Sequence, residues 1–242
     1  MRCLYRTVLV SVLIMTLFPV YAKPDKTAEC VIILHGMGRT SLSMFAIEWR
    51  LKEENYQVWN ESYPSTSEKI PVLATRTINQ GIEYCRSMGA PRIHFVTHSL
   101  GGILVRVFLQ DHTIPELGRI IMISPPNKGS EVTDMLKDNF FYREFLGPAG
   151  QELGTGPEGL PNQLNEIEGE IGVITGNSSS DPWFSPYIPG EDDGKVSVES
   201  AKLDEMADFL VVASGHTFIA MKSEVIDQVV YFLKNGSFSK ED

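Results

Sequence analysis

Three residues of the kinds used in nucleophilic catalysis lie far apart in the sequence: Ser99, Asp193 and His216. A serine hydroxyl is a poor nucleophile until a base takes its proton, and an imidazole oriented by a carboxylate can be that base. Together the three residue types suffice for acyl transfer through a covalent acyl-enzyme. They can do so only if the fold brings them together, which depends on the elements that precede them.

Short apolar runs recur along the chain, each bounded by polar residues, Gly or Pro. Unalternated runs of Val, Ile and Phe are typical of parallel strands buried on both faces. Strands are predicted at 31–34, 57–61, 93–97, 119–123, 171–175 and 209–213. Stretches with helical period lie between them at 44–55, 71–87, 100–108 and 223–233. The alternation predicts an α/β fold with a mostly parallel, doubly wound sheet of about six strands and helices on both faces.

Residues 125–168 interrupt this alternation with a segment rich in Pro and Gly. The segment also contains the aromatic cluster Phe140, Phe141, Tyr142 and Phe145. Aromatic side chains in an irregular insert could form a cap over a pocket, or they could pack into the edge of the core. Both interpretations stay open, within a single domain predicted for residues 23–242.

Each of the three candidate catalytic residues follows a predicted strand. Ser99 comes directly after 93–97, Asp193 ends the loop after 171–175, and His216 follows 209–213. Ligands of an open parallel sheet bind outside the carboxyl ends of its strands. The sequence therefore predicts a site at this edge of the sheet.

The order serine, acid, histidine on strands of this kind resembles the α/β-hydrolase superfamily, and within it the bacterial lipases and esterases. Five separated segments carry the resemblance: LHGMGRT (34–40), VTHSLGG (96–102), ISPPNKGS (123–130), EDDGKVSVES (191–200) and SGHTFI (214–219). The resemblance implies a hydrolase of carboxylic esters in which Ser99 is the nucleophile, His216 the base and Asp193 the acid. It implies no metal or organic cofactor, and an acyl ester as substrate.

Two backbone N–H groups are candidates for the oxyanion hole. The N–H of Leu100 opens the helix after the serine, where it has no partner within the helix. The resemblance adds the N–H of Met37, between two glycines. Gly101 allows strand and helix to approach closely. Thr97 stands where a glycine is usual, which predicts strain in the turn at that residue.

Alternatives exist for the acid and the base. Asp192 competes with Asp193, although an aspartate directly before glycine fits the lipase pattern better. The two adjacent acids could instead bind a structural calcium ion, but the loop does not match the EF-hand spacing. Four other histidines occur at positions better suited to structural roles: His35, His94, His98 and His112.

The amino-terminal segment has the layout of a secretory signal peptide. Two arginines precede an apolar run, and cleavage is expected near Ala22, which predicts an exported or periplasmic protein. The apolar run, of about 14 residues, is shorter than a membrane-spanning helix needs. Loss of residues 1–22 changes the formal charge from −10 to −12, because that segment holds two arginines and no acid. An acidic protein of this kind is not expected to bind nucleic acid.

Cys30 and Cys85 are the two cysteines of the mature chain. In an oxidising compartment they could form one disulfide, at the end of the sheet opposite the predicted site. No Cys or His pair at ligand spacing indicates a metal site. The oligomeric state is not predicted.

Three alternatives to ester hydrolysis remain at this stage. The same triad could transfer an acyl group to another alcohol or cleave an amide. A non-catalytic binding protein on the same fold is the third, although a binding protein has no need of a complete set of serine, acid, histidine and oxyanion loop.

Overall fold

The computed structural model describes residues 28–179 and 183–240. The predicted signal peptide, residues 1–22, lies outside them. One sheet of six parallel strands forms the centre, in the order β2-β1-β3-β4-β5-β6. The strands are β1 (Cys30–Leu34), β2 (Gln57–Trp59), β3 (Ile93–His98), β4 (Leu117–Ile123), β5 (Ile171–Gly176) and β6 (Asp208–Val212). The predicted α/β class and strand number are confirmed.

Seven α-helices lie within the described residues: α1 (Phe45–Glu53), α2 (Ile70–Ser87), α3 (Leu100–Asp111), α4 (Glu131–Leu136), α5 (Phe140–Gln151), α6 (Val198–Ala201) and α7 (Ser223–Asn235). Short 3₁₀ turns occupy Ser41–Met44, Leu160–Gln163, Ser185–Tyr187 and Ile219–Met221. The four predicted helices are α1, α2, α3 and α7. The predicted helix 44–55 begins instead with the turn Ser41–Met44, so its α-helical part is shorter.

Alternate residues of each strand face opposite layers of helices. Ile32 of β1 packs in the layer with α2 and α3. Its neighbours Val31 and Ile33 pack in the other layer, with α1 and α7. Because all three side chains are fully buried, the strand reads in the sequence as an uninterrupted apolar run, as expected for a sheet covered on both faces.

The edge strand β2 is shorter than predicted. It ends at Trp59, opposite Ile32 of β1, whereas a strand to residue 61 was predicted. The next residue, Asn60, turns its side-chain amide to the carbonyl of Ser41 and the carboxylate of Glu48, at 3.1 and 2.7 Å. These bonds to a neighbouring turn and helix replace further pairing in the sheet.

The insert at 125–168 contains α4, α5 and the turn Leu160–Gln163. Phe140, Phe141 and Phe145 of α5 are exposed, each by about 70% (71%, 69% and 74%). Packing into the edge of the core is therefore wrong for these three side chains. Tyr142 is half-buried, and its hydroxyl lies 2.8 Å from that of Thr133 on α4.

A disulfide joins Cys30, the first residue of β1, to Cys85 near the end of α2. Their Cα atoms are 5.7 Å apart, a separation that a disulfide spans without backbone movement. Both residues are fully buried. The bond ties α2 to the amino end of the central strands, opposite the carboxyl edge that carries the candidate site.

Loss of this disulfide should destabilise the fold. We expect Cys85→Ala to lower the free energy of unfolding by about 2–5 kcal/mol, because the bond closes a long loop in the unfolded chain. Urea unfolding with and without dithiothreitol measures the effect. The reductant should destabilise the wild type and leave Cys85→Ala unchanged. Two free thiols by mass spectrometry of the untreated protein would contradict the pairing.

Among residues 28–179 and 183–240, no helix combines the length and apolar character needed to cross a bilayer.

Candidate active site

Ser99 lies in the turn between β3 and α3, at the carboxyl edge of the sheet. Its backbone has φ 53° and ψ −119°, with φ in the left-handed range that residues other than glycine rarely adopt. Its N–H donates to the carbonyl of Ile123 at 2.9 Å, and its carbonyl accepts from the N–H of Gly102 at 3.0 Å. The turn presents the side chain of Ser99 to a cavity.

Two glycines allow the close approach that this turn needs. A Cβ at Gly101 would lie 2.6 Å from the carbonyl oxygen of Leu34, so α3 contacts β1 at a distance that leaves no room for a side chain. A Cβ at Gly36 would lie 3.3 Å from the Cβ of Ser99. The loop after β1 therefore passes directly beside the serine.

The strain predicted at Thr97 is not found there. Thr97 is a buried residue within β3 and does not have a positive φ. Its hydroxyl donates to the carbonyl of Ile121 on β4 at 3.2 Å, which satisfies its polar group inside the sheet. The unusual backbone belongs to Ser99 instead, because the chain reverses only after the strand has ended.

Asp193 and His216 are in direct contact. The Nδ1 of His216 lies 2.8 Å from Oδ2 of Asp193, and the His216 N–H donates to the Asp193 carbonyl, also at 2.8 Å. The other carboxylate oxygen, Oδ1, accepts from the N–H groups of Lys195 and Val196 at 3.0 and 2.9 Å. Because a carboxylate accepts, Nδ1 carries the imidazole proton and Nε2 is left as the basic nitrogen.

Asp192 has a different role. Its Oδ1 accepts from the Ser185 hydroxyl at 2.5 Å and from the Gly194 N–H at 2.7 Å. Its backbone forms an antiparallel bridge with Ser197. These bonds shape the loop that presents Asp193, and none of them involves His216.

The environment of Asp193 favours its ionised form. Burial opposes ionisation, but the neighbouring charge and hydrogen bond of His216 outweigh it, and the pKa of Asp193 lies below its usual value. Ser124, the residue directly after β4, contributes in the same direction. Its fully buried hydroxyl lies near the carboxylate, outside hydrogen-bonding geometry. Ser124 also has a positive φ of 48°. Ser124 was not predicted as a site residue, although a polar residue directly after a buried strand was a usable signal.

A cavity of about 350 Å³ is lined by some of the predicted site residues, whereas Asp193 and Leu100 are not part of its lining. Ser99, His216 and the oxyanion candidate Met37 all line it. Its volume lies near the lower end of the range for small-molecule pockets. The apolar and aromatic side chains among the other lining residues come largely from the insert: Pro126, Val132, Leu136, Tyr142, Leu146, Leu153, Phe184 and Val196.

No protein-family model matches the sequence, and a comparison with curated proteins finds no match. Solved structures do match. The lipase BlEst2 of Bacillus licheniformis in its mature form has a TM-score of 0.71 at 18% identity, over 90% of this chain and 96% of that one. The phospholipase PlaB of Legionella pneumophila has a TM-score of 0.67 at 16% identity, over 87% of this chain but 60% of that protein. The chain has the α/β-hydrolase fold. The esterase Pf2001 of Pyrococcus furiosus matches as well, with a TM-score of 0.57 at 17% identity, over 87% of this chain and 84% of that one.

Within this α/β-hydrolase fold, two residues after β2 hold the loop that carries Met37. The hydroxyl of Tyr63 donates to the carbonyl of His35 at 2.5 Å, and the rings of Tyr63 and His35 stack with centroids 4.1 Å apart. The hydroxyl of Ser65 accepts from the Gly38 N–H at 2.9 Å. Burial lowers the pKa of His35, and the neutral ring donates from Nδ1 to the Gly36 carbonyl at 2.8 Å and accepts at Nε2 from the Tyr63 N–H at 3.2 Å. A structural role was predicted for His35, whereas Tyr63 and Ser65 were not predicted.

His98, beside the serine, holds the backbone of the candidate base. Its Nε2 lies 3.0 Å from the carbonyl of His216. Because a carbonyl only accepts, Nε2 carries the proton. Burial, followed by the charge of His216, lowers the pKa of His98 to about 3. His98 is therefore a neutral positioning residue in this fold.

Acid should destabilise the protein partly through His98. An unfolded histidine takes up a proton near pH 6.5, whereas the folded His98 does so only near pH 3. Between these values the unfolded state binds more protons, so the free energy of unfolding falls as the pH is lowered. We expect His98→Gln to reduce this pH dependence in urea unfolding series, since glutamine does not titrate.

A matched variant separates charge from hydrogen bonding at this position. His98→Gln keeps an N–H donor for the His216 carbonyl, whereas His98→Phe leaves that carbonyl unpaired and should cost a further 1–3 kcal/mol, roughly, at neutral pH. A pH dependence in His98→Gln as steep as that of the wild type would contradict this assignment.

The two remaining histidines lie away from the cavity. His94 is buried at the other end of the sheet, 3.1 Å from the carboxylate of Glu29. His112 caps α3, with its ring stacked on that of Phe108. Across the described part of the chain, no cluster of three or more His, Cys, Asp or Glu side chains is arranged to hold a metal ion.

Proposed function

We propose that this protein is a serine hydrolase of carboxylic esters. The observation that carries the proposal is the 2.8 Å contact between Asp193 and Nδ1 of His216, in a cavity that Ser99 also lines. With Nδ1 donating to Asp193, Nε2 is the ring nitrogen available to act as a base, and His216 lines the same cavity as Ser99. The similarity in fold to a lipase, a phospholipase and an esterase supports the same chemistry.

The proposed reaction has two halves. Nε2 of His216 takes the proton of the Ser99 hydroxyl as the serine oxygen attacks the acyl carbonyl. The N–H groups of Met37 and Leu100 hold the oxyanion of the tetrahedral intermediate. The protonated imidazole then gives its proton to the leaving alcohol, and an acyl-enzyme remains.

Water completes the second half. It attacks the acyl-enzyme with His216 again as base, and the carboxylic acid leaves. Asp193 fixes the tautomer of His216 throughout and stabilises the imidazolium that forms twice in the cycle. All of these groups belong to this chain, so the proposed reaction uses no cofactor.

The apolar lining of the cavity supports an apolar acyl group as the buried part of the substrate. Val132, Leu153 and Val196 are buried lining residues, exposed by 8%, 6% and 2%. Contact with such a wall favours hydrocarbon over a polar or charged acyl group. A cavity of about 350 Å³ fits a short or medium chain.

Labelling with a fluorophosphonate probe tests the proposal. The probe should modify the wild type at Ser99, located by mass spectrometry of the labelled peptide, and should not modify Ser99→Ala. The wild type without the probe should also hydrolyse p-nitrophenyl butyrate and p-nitrophenyl octanoate. A protein that is neither labelled nor active would favour a non-catalytic binding protein on this fold.

Export is part of the proposal. The amino-terminal layout predicts cleavage near Ala22, and a disulfide between Cys30 and Cys85 fits an oxidising compartment. The mass and amino-terminal sequence of protein recovered from a periplasmic fraction test it. A full-length chain retained in the cytoplasm would contradict it.

A further inference from the structure

The charges around the cavity differ in sign from those of the chain as a whole. The full sequence has 31 acidic and 21 basic residues, yet among residues 28–179 and 183–240 none of those that line the cavity is acidic. Two of them, Arg39 and Lys195, are cationic. A cleft lined by one sign of charge concentrates ligands of the opposite sign.

The two cations come from different loops. Arg39 lies in the loop after β1 that also carries Met37. Its charge is near enough to the serine turn to contribute to lowering the pKa of His98, after burial and the charge of His216. Lys195 follows Asp193 and Gly194 after β5, and its Nζ lies 5.3 Å from the ring centroid of Phe184.

Neither cation is neutralised within the described part of the chain. The ion pairs found there involve other basic residues, among them Arg50, Arg86 and Arg119. Asp192, the acid nearest to Lys195 in sequence apart from Asp193, has Oδ1 bound by Ser185 and Gly194. The Asp193 carboxylate is used by His216 and two backbone N–H groups.

The cations lie at the solvent side of the cavity, whereas the apolar wall is deeper. Arg39 is exposed and Lys195 is partly exposed. Leu153 and Val196 are buried. A charged group would lose its hydration against the deep wall, but at the mouth it can remain hydrated beside the two cations. With the acyl group against the deep apolar wall, as proposed above, the alcohol part of the ester is left at the mouth.

We propose that the preferred substrates are esters of an apolar acid with an alcohol that itself carries an anionic group, a carboxylate or a phosphate, placed between Arg39 and Lys195. This inference rests on the proposed ester hydrolysis. It names the class of alcohol, which the triad alone leaves open.

A pair of matched soluble esters tests the inference. The anionic probe is 4-nitro-3-(octanoyloxy)benzoate, and the corresponding primary carboxamide, which has the same single ester bond and no charge, is the neutral control. The wild type should show a kcat/KM about tenfold higher for the anion, because ion pairs with two solvent-accessible cations each contribute a few-fold. The preference should fall as NaCl is raised, since salt screens such pairs.

Substitutions of Arg39 and Lys195 test whether these two cations cause the preference for the anionic ester. The ratio of kcat/KM for anion over neutral ester should fall towards 1 in the double variant Arg39→Gln, Lys195→Met. Arg39→Lys keeps the charge and should retain most of the ratio. Arg143→Gln removes a cation from α5 that does not line the cavity, so the wild-type ratio should persist.

A second pair identifies the source of the anion. 1-Octanoylglycerol 3-phosphate and 1-octanoylglycerol place the charge in a lipid headgroup, and released octanoate is measured. If the enzyme prefers the anionic ester in only one of the two pairs, the anionic group of that pair, carboxylate or lipid phosphate, is the one that the site recognises. Equal rates within both pairs, or a preference that survives the double variant, would overturn the inference while hydrolysis of the neutral esters leaves the proposed function standing. Absence of hydrolysis with Ser99 unlabelled would contradict both.

Discussion

Replacing Ser99 by alanine should lower kcat for p-nitrophenyl butyrate by about 10⁵- to 10⁶-fold. Without the hydroxyl no acyl-enzyme can form, and His216 has no proton to take. The remaining rate should come from substrate binding and the oxyanion N–H groups acting on water, which still accelerate the reaction roughly 10³-fold.

Steady-state and burst kinetics at matched protein concentration measure this effect. The variant should show no burst of p-nitrophenol, because the burst reports the acyl-enzyme. Alanine keeps a Cβ in the same turn, so circular dichroism and the urea midpoint should remain close to those of the wild type. A variant that retains more than about 1% of the wild-type kcat would exclude Ser99 as the nucleophile, since loss of a nucleophile costs several orders of magnitude.

Replacing Asp193 by asparagine should lower kcat by about 10⁴-fold. The amide nitrogen can donate where the carboxylate accepted, which favours the imidazole tautomer with its proton on Nε2. That tautomer cannot take a proton from Ser99. The imidazolium formed in each half-reaction also loses the negative charge beside it.

Asp192→Asn is the matched control for this prediction. The two residues are adjacent and both buried, with 8% exposure for Asp192 and 2% for Asp193. Asp192 bonds to Ser185 and Gly194 rather than to His216. Asp192→Asn should therefore lower the free energy of unfolding and should affect kcat less than Asp193→Asn does. The opposite ranking of the two variants in kcat would assign the acid to Asp192.

The fold was largely predictable because each central strand is buried on both faces. Runs such as Val31–Leu34 are then recognisable as apolar segments flanked by polar residues, Gly or Pro. The carboxyl ends of parallel strands also meet at one edge of the sheet. This is why Ser99 and His216, 117 positions apart in the printed sequence, could be expected at one site. Edge strand β2 was less predictable, since it pairs along only three positions of β1.

Other parts of the site could not be read from local patterns. Tyr63 and Ser65 follow the edge strand and form no motif, yet they hold the Met37 loop through contacts more than 25 residues distant in sequence. These contacts depend on the order of the strands in the sheet, so the spacing of residues within a local segment does not predict them. The position of the backbone strain was also missed, because side-chain size at Thr97 suggested it whereas the chain reversal occurs at Ser99.

The positive φ of Ser99 lowers the stability of the fold, although the proposed activity requires a serine at this position. A residue with a side chain held in this region costs on the order of 1 kcal/mol or more, which the rest of the fold must offset. Glycine adopts the same backbone freely, so Ser99→Gly should give a protein that is inactive and more stable by about 1 kcal/mol. Selection for stability alone would thus remove the nucleophile.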